Sequence, residues 1–276
     1  MNATYESDGA RLSCSDKRIG RPVVFLHPTP FNGTFWNPVV ELVHGVRAIV
    51  PDLRGHGESE LGTRLPVGHF ARVPDAPVLT MGQYASDVLA LLDHLNLEQP
   101  VFVGCSIGGY VLLELWRRAP ERIKALAFIC SKPQADAETN LARREAAIAD
   151  ARAGKTNVLL NGMVQSLVGA TSRAKRPQLA DEVRGMIRIA PDALIAVQAG
   201  LGARPDSVPT VASITVPVLA IAGGEDRAAT PTEMEALCAA PGGCTYAVLQ
   251  DAGHTAAYEQ PVSVAGLLNN WLAEVG

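Results

Sequence analysis

Between a β-rich run at 100–105 and an apolar run from 107 to about 118 that reads as a helix, the chain carries Gly104-Cys105-Ser106-Ile107-Gly108-Gly109. A strand that turns straight into a helix leaves no room for side chains beside the turn. That crowding accounts for glycine two residues before and two residues after Ser106. The serine then projects from the carboxyl edge of a sheet, and the N-terminal dipole of the following helix points at it. Read alone, the segment fits equally a glycine-rich turn in which Ser106 only caps the helix. A phosphate loop is disfavoured, because the G-x-x-x-x-G-K-[ST] lysine is missing, and the segment does not match a dinucleotide-binding G-x-G-x-x-G.

The rest of the chain repeats this alternation. Short β-rich runs at 23–27, 46–51, 100–105, 124–130, 216–222 and 245–249 are separated by longer amphipathic stretches, the pattern of parallel strands joined by crossover helices. In 82–97, Val88, Leu91, Leu92 and Leu95 recur at the spacing of one buried helical face. The 107–118 helix stops before Pro120, and a last helix over about 259–273 opens at Pro261, where the missing N–H costs nothing. From 135 to 205 the alternation lapses into an Ala- and Arg-rich helical pattern without a strand. The expected organisation is therefore an α/β core over 1–134 and 206–276, with a mostly parallel sheet flanked by helices and a helical cap at 135–205. The stretch 58–80, with Gly62, Pro66, Gly68, Pro74 and Pro77, reads as a long surface loop.

Composition narrows the function classes. Hydrophobic residues make up 47% and charged residues 19%, which is globular, and the net charge of -4 comes without a Lys/Arg block that would gather nucleic acid or anionic lipid. No nucleic-acid or membrane partner is expected. The N-terminus lacks the pattern of a secretory signal, and no apolar run reaches the roughly 18 residues of a membrane span, so a cytoplasmic location is expected. The five cysteines, Cys14, Cys105, Cys130, Cys238 and Cys244, show no metal-ligand spacing. Reduced thiols are the default, although Cys238 and Cys244 could approach each other across the Pro-Gly-Gly turn between them. Neither a metal nor a cofactor is implied.

A serine hydroxyl is a poor nucleophile at neutral pH and needs a base in reach, with a carboxylate behind the base. Asp226 lies on the loop after the 216–222 strand, and His254 lies just after the next strand. In a parallel sheet both loops open at the edge that carries Ser106. Of the six histidines, only His254 combines a post-strand loop, a preceding glycine and a place beyond the acid, whereas His94 lies on a helix face. Glu225 and Asp251 read as surface charges beside the site, and Asp136 is the backup acid. Attack on a carbonyl creates an oxyanion that two N–H donors would hold. One donor is the Ile107 N–H. For the other, His27-Pro28-Thr29-Pro30 leaves Thr29 as the only donor, since proline has no N–H.

These segments, together with Asp52-Leu53-Arg54-Gly55-His56-Gly57-Glu58-Ser59, resemble the α/β-hydrolase superfamily across nearly the whole chain. Asp52 to Ser59 is similar to the superfamily's D-x-R-G-x-G-x-S turn, which makes His56 structural. Within the superfamily the chain most resembles enol-lactone hydrolases of the 3-oxoadipate type and related carboxylesterases. One departure is His27-Pro28, where the family usually has His-Gly. The resemblance implies an α/β-hydrolase fold and a serine hydrolase that cleaves a small-molecule ester or lactone through Ser106, His254 and Asp226. Epoxide hydrolases and haloalkane dehalogenases are disfavoured because their nucleophile is aspartate. Carbon-carbon bond hydrolases, perhydrolases and hydroxynitrile lyases share the triad and stay open, as does a non-enzymatic receptor on the same fold.

The cap and the 58–80 loop are expected to roof a largely apolar pocket. Phe31, Trp36, His69, Phe70 and Met163 are candidate lining residues. Arg143, Arg144, Arg184, Arg188 and Arg204 could make a basic lining suited to a carboxylated lactone, or could be solvated helix faces. Cys105 reads as a small buried apolar residue rather than a reactive thiol.

Overall fold

The computed structural model describes residues 2–17 and 19–276. Eight strands form one sheet in the order β1-β2-β4-β3-β5-β6-β7-β8. They are β1 (Asn2–Ser7), β2 (Ala10–Lys17), β3 (Arg21–Leu26), β4 (Val46–Pro51), β5 (Val101–Cys105), β6 (Ala125–Ile129), β7 (Val218–Gly223) and β8 (Cys244–Leu249). β1 and β2 pair antiparallel, as do β2 and β4, and every other neighbouring pair is parallel. The six strands read from the sequence are all present. The β1–β2 hairpin is an addition, closed by Asp8 and Gly9, both at positive φ, the conformation a two-residue hairpin turn requires.

β5, β6 and β7 are buried along their length and β3 from Val23 onward, and their period-two alternation serves two cores. Val24, Leu26, Phe102, Leu126 and Phe128 enter one, and Val23, Phe25, Val101, Val103, Ala127 and Ile129 enter the other. Each fully buried Val, Leu, Ile or Phe contributes about 1.5–3 kcal/mol, so a one-residue slip of a central strand would exchange two cores at once.

Among the described residues, twelve α-helical segments surround the sheet, three of them of only four residues. Before the middle of the chain lie α1 (Asn37–Val40), α2 (Met81–His94) and α3 (Ile107–Arg118). The stretch expected to be a helical insertion holds α4 (Glu138–Arg152), α5 (Thr156–Leu167), α6 (Ala170–Lys175), α7 (Leu179–Gly185) and α8 (Pro191–Gly202). The chain ends with α9 (Val208–Val211), α10 (Pro231–Glu235), α11 (Ala256–Glu259) and α12 (Pro261–Glu274). Thr80 caps α2 by accepting the Gln83 N–H, and Pro261 opens α12. No helix among the described residues is long and apolar enough to cross a membrane.

Two expectations need correction. The 58–80 stretch is irregular but its middle is no surface loop: Phe70, Ala76 and Val78 are buried with Ile148, Leu160, Leu194 and Ile195 in a third cluster, and the Leu79 N–H donates to Ala196 O. It is docked on the insertion. Reduced thiols hold for Cys14, Cys105 and Cys130, all buried, but Cys238 and Cys244 form a disulfide. The turn at Gly242 and Gly243, the latter at φ +86°, folds the chain back and brings the two Cα atoms to 5.0 Å, within the reach of the bond.

Candidate active site

β5 delivers Ser106 and α3 begins at the next residue, so the serine sits in the turn between them at φ 53° and ψ −117°. That conformation costs a non-glycine residue on the order of 1–3 kcal/mol. Its neighbours hold it there. The Ser106 N–H donates to Ile129 O at 3.1 Å, and Ser106 O accepts the Ser131 hydroxyl at 2.9 Å. A Cβ on Gly104 would lie 2.6 Å from the Gly108 carbonyl carbon, and one on Gly108 would lie 2.9 Å from that of Leu26. The two glycines are therefore required by close backbone approach.

Two other strands bring partners to the same edge. Asp226 follows β7 and His254 follows β8. Ser106 Oγ lies 2.8 Å from His254 Nε2, and His254 Nδ1 lies 2.7 Å from Asp226 Oδ2. Because the Asp226 carboxylate accepts at Oδ2, the imidazole carries its proton on Nδ1, and Nε2 accepts the serine proton. Asp226 Oδ1 accepts the Ala228 and Ala229 N–H groups at 2.7 and 3.2 Å, which leaves the carboxylate one orientation. Ser106, Asp226 and His254 are 8%, 4% and 4% exposed. Ser106 and His254 line a cavity of about 270 Å³, together with Thr29, Tyr110, Leu159, Met163 and Leu201.

The loop after β3 forms the opposite wall. Two buried histidines, His27 on this loop and His56 on the turn after β4, are fixed as neutral tautomers: burial drives His27 down to about 4 and His56 to about 3. His27 Nδ1 donates to Pro28 O, so its Nε2 accepts the Leu53 N–H at 2.9 Å. His56 Nδ1 donates to Arg54 O, so its Nε2 accepts the Thr29 hydroxyl proton at 2.9 Å. The Thr29 hydroxyl is thus spent as a donor, and the donor left to Thr29 is its N–H. Among the described residues neither the Thr29 nor the Ile107 amide is committed to an acceptor. Asp52 braces this wall by accepting the Gly33 N–H at 2.7 Å and the Glu58 N–H at 2.9 Å, while Arg54 pairs with buried Asp87. The Asp52 to Ser59 turn is scaffolding beside the site, as its resemblance implied.

Residues 23–267 match the model of the alpha/beta hydrolase family. The chain belongs to that family. A thermophilic esterase from Thermogutta terrifontis, 28% identical, superposes with a TM-score of 0.88 over 100% of this chain and 99% of that one. The 3-oxoadipate enol-lactonase 2 of Acinetobacter baylyi is 29% identical over 216 residues, 76% of this chain and 72% of the relative. A non-heme chloroperoxidase of Streptomyces lividans is 33% identical over 138 residues, 48% of this chain and 45% of that protein. The match spans less than half the length of this and two further haloperoxidases. The sequence resemblance to the hydrolase family, and within it to enol-lactonases and esterases, agrees with these likenesses.

In this alpha/beta hydrolase the other candidate acids are engaged elsewhere. Burial would raise the Asp136 carboxyl, but Arg144 at 3.1 Å and Arg204 at 2.7 Å hold it below the usual carboxylate range. Glu225 accepts from Thr171, and Asp251 pairs with Lys175 at 2.7 Å. Of the five arginines expected to supply a basic lining, Arg143 and Arg144 line the cavity. Arg204 is buried behind it, 4.3 Å from the Tyr110 ring centroid, and Arg188 folds back onto the end of α7 at Gly185 O. Arg184 is not a lining residue. Arg227 lines the cavity although the sequence reading passed over it; its place directly after the candidate acid was the available signal.

Of the apolar lining candidates only Met163 reaches the cavity of the hydrolase. Phe31 and Trp36 are core, Phe70 packs in the third cluster and His69 is exposed. Cys105 and Cys130 are buried, and burial raises both thiols well above their ordinary range, which suits packing and not nucleophilic chemistry. No group of His, Cys, Asp and Glu able to hold a metal occurs among the described residues.

Proposed function

We propose that this hydrolase cleaves a carboxylic ester or lactone through an acyl-enzyme on Ser106, with His254 as the base and Asp226 as its orienting acid. The observation that carries the reading is the unbroken hydrogen-bonded chain from Asp226 Oδ2 through His254 to Ser106 Oγ, opening into a cavity. As Ser106 Oγ attacks the carbonyl carbon, its proton passes to His254 Nε2 and the carbonyl oxygen becomes an oxyanion. The Ile107 and Thr29 N–H groups receive that oxyanion; a donor of this kind contributes about 2.7–4 kcal/mol. Collapse breaks the ester C–O bond, and the leaving oxygen takes the proton from His254. A lactone gives one ring-opened acyl chain, whereas an ester releases an alcohol. Water, deprotonated by His254, then attacks the acyl carbon and regenerates Ser106. Throughout, Asp226 stabilises the imidazolium.

Residues 135–205 act as a cap on a core made of 1–134 and 206–276. The cap's contribution to selectivity is electrostatic. Arg143, Arg144 and Arg227 line the cavity, against a single lining carboxylate, Asp136, which is already shared by two arginines. A substrate with a second, anionic group such as a carboxylate suits this balance. The likeness to a chloroperoxidase favours a second reading on the same residues, in which hydrogen peroxide replaces water at the acyl-enzyme and a peracid leaves.

Steady-state hydrolysis of 4-nitrophenyl acetate and butyrate by the wild type and by Ser106→Ala tests the reading. Turnover confined to the wild type is expected. Equal rates for the two proteins would overturn it, and a peracid formed in preference to hydrolysis when peroxide is added would transfer the assignment to the second reading.

A further inference from the structure

The insertion meets the loops bearing Asp226 and His254 along residues 167–175. Leu167 O accepts the His254 N–H at 2.8 Å and the Thr255 N–H at 3.3 Å. Glu259 ties the same two segments together. Its Oε2 accepts the Gly169 N–H at 3.1 Å from the insertion and the Gly253 N–H at 2.9 Å from the histidine loop, while its Oε1 accepts the Thr255 hydroxyl at 2.8 Å. Glu259 is 4% exposed, and its carboxylate forms no ion pair among the described residues. Three charge-assisted hydrogen bonds take the place of a cation.

The junction has no slack. A Cβ on Gly253 would lie 2.7 Å from Leu167 O, and one on Gly169 would lie 2.7 Å from the Gly253 nitrogen and 2.8 Å from Glu259 Oε2. From below, the Cys130 thiol meets Gly253 O at 3.5 Å and the Cys105 thiol meets His254 O at 4.0 Å. The acid loop is attached to the same stretch: Glu225, one residue before Asp226, accepts both the N–H and the hydroxyl of Thr171, and Ser172 donates to Asp251 O. The insertion is therefore fastened to both loops, and the buried carboxylate that accepts from both sides of the 169/253 contact is Glu259.

We propose that Glu259 is a positioning residue for His254: by fastening residues 167–169 of the insertion to the 253–255 loop, it makes the insertion set where the imidazole stands relative to Ser106. The inference rests on the serine-hydrolase reading and adds to it that the insertion completes the acid–base apparatus besides roofing the cavity. Loss of the carboxylate releases two glycine N–H groups on either side of the junction, and the loop carrying His254 then has room to drift. A displacement of about 1 Å in a reacting group costs on the order of 10²-fold in rate.

The test is hydrolysis of 4-nitrophenyl acetate by the wild type, Glu259→Leu, Glu259→Gln and Thr255→Val, with Ser106→Ala as the blank. Glu259→Leu is expected to lose kcat by about 100-fold while KM stays within about threefold, because the reacting geometry changes and the cavity does not. Glu259→Gln should stay within about fivefold of wild type, since the amide oxygen can accept both glycine N–H groups and the NH2 can donate to the Thr255 hydroxyl. A folded Glu259→Leu with wild-type kcat, or a fall expressed in KM alone, overturns the proposal. Should Glu259→Leu not fold, Thr255→Val decides: a kcat loss of about tenfold supports the proposal, and an unchanged kcat overturns it. Wild-type hydrolysis no faster than the Ser106→Ala blank overturns instead the reading on which the proposal rests.

Discussion

The two halves of the site are held in place by different physics. Ser106 and the loop after β3 stand on fully buried parallel strands, and their geometry is set locally by glycines that let backbone touch backbone at Gly104, Gly108 and Leu26. Asp226 and His254 ride on loops beyond β7 and β8, and their geometry is set by hydrogen bonds between residues 54 to 90 positions apart in the chain: Thr171 to Glu225, Gly169 to Glu259, His254 to Leu167. The first half is built into the sheet. The second is completed only once the insertion has docked, so a change in the insertion, far from Ser106 in sequence, has a direct route to the base.

The sharpest way to break the comparison is to remove each acid in turn. Asp226→Asn is expected to lower kcat on the order of 10⁴-fold, as a triad acid does when its loss favours the wrong histidine tautomer, with little effect on stability. Asp136→Asn should behave in the opposite sense. It strips a buried carboxylate from Arg144 and Arg204, which costs about 3–5 kcal/mol of stability, while kcat per folded molecule is kept. Urea melts set beside steady-state rates check both. Wild-type turnover in Asp226→Asn with its loss in Asp136→Asn would exchange the two roles.

Acid should loosen the sheet-built half through its buried histidines. His27 and His56 titrate at about 4 and about 3 in the fold and near 6.5 when unfolded, so below pH 6.5 the unfolded chain binds more protons. Stability is then level above about pH 7 and falls as the pH drops. Between pH 7 and pH 5 the loss is about 2 kcal/mol for each histidine. Urea midpoints at the two pH values measure it, and a midpoint that rises toward pH 5 would contradict the buried neutral assignment.

The smallest expected effect concerns the arginines that the insertion and the acid loop present together. Arg227→Ala should lower kcat/KM for a monomethyl dicarboxylate by about tenfold and leave the dimethyl diester unchanged, since it removes one exposed cation and no catalytic group. Equal losses on both esters, followed by acid release in a pH-stat, would deny a role in charge selection.

The same division explains what could be read in advance. Gly104 to Gly109 gave away the nucleophile turn because crowding acts between residues two apart, and six of the strands followed from short β-rich apolar runs alternating with longer amphipathic stretches. The order of Ser106, Asp226 and His254 placed all three at one sheet edge. The 58–80 stretch looked like a loop because its prolines and glycines exclude regular structure, yet Phe70 and Val78 are buried by partners from Ile148 to Ile195 that no local pattern reveals. The β1–β2 hairpin had its signal in Asp8-Gly9 flanked by alternating residues. The Cys238–Cys244 bond was weighed by compartment, whereas the turn at Gly242 and Gly243 decides it by distance. Glu259 was invisible, because a surface-type residue at a helix end gains its meaning only from Gly169 and Gly253 meeting in space.

The central claim is that Ser106 is the residue acylated. Peptide mapping by mass spectrometry after reaction with a fluorophosphonate tests it most directly. One adduct on the peptide containing Ser106, lost in Ser106→Ala and strongly slowed in His254→Ala, is the expected result; an adduct on any other residue, or equal labelling of Ser106→Ala, would contradict it.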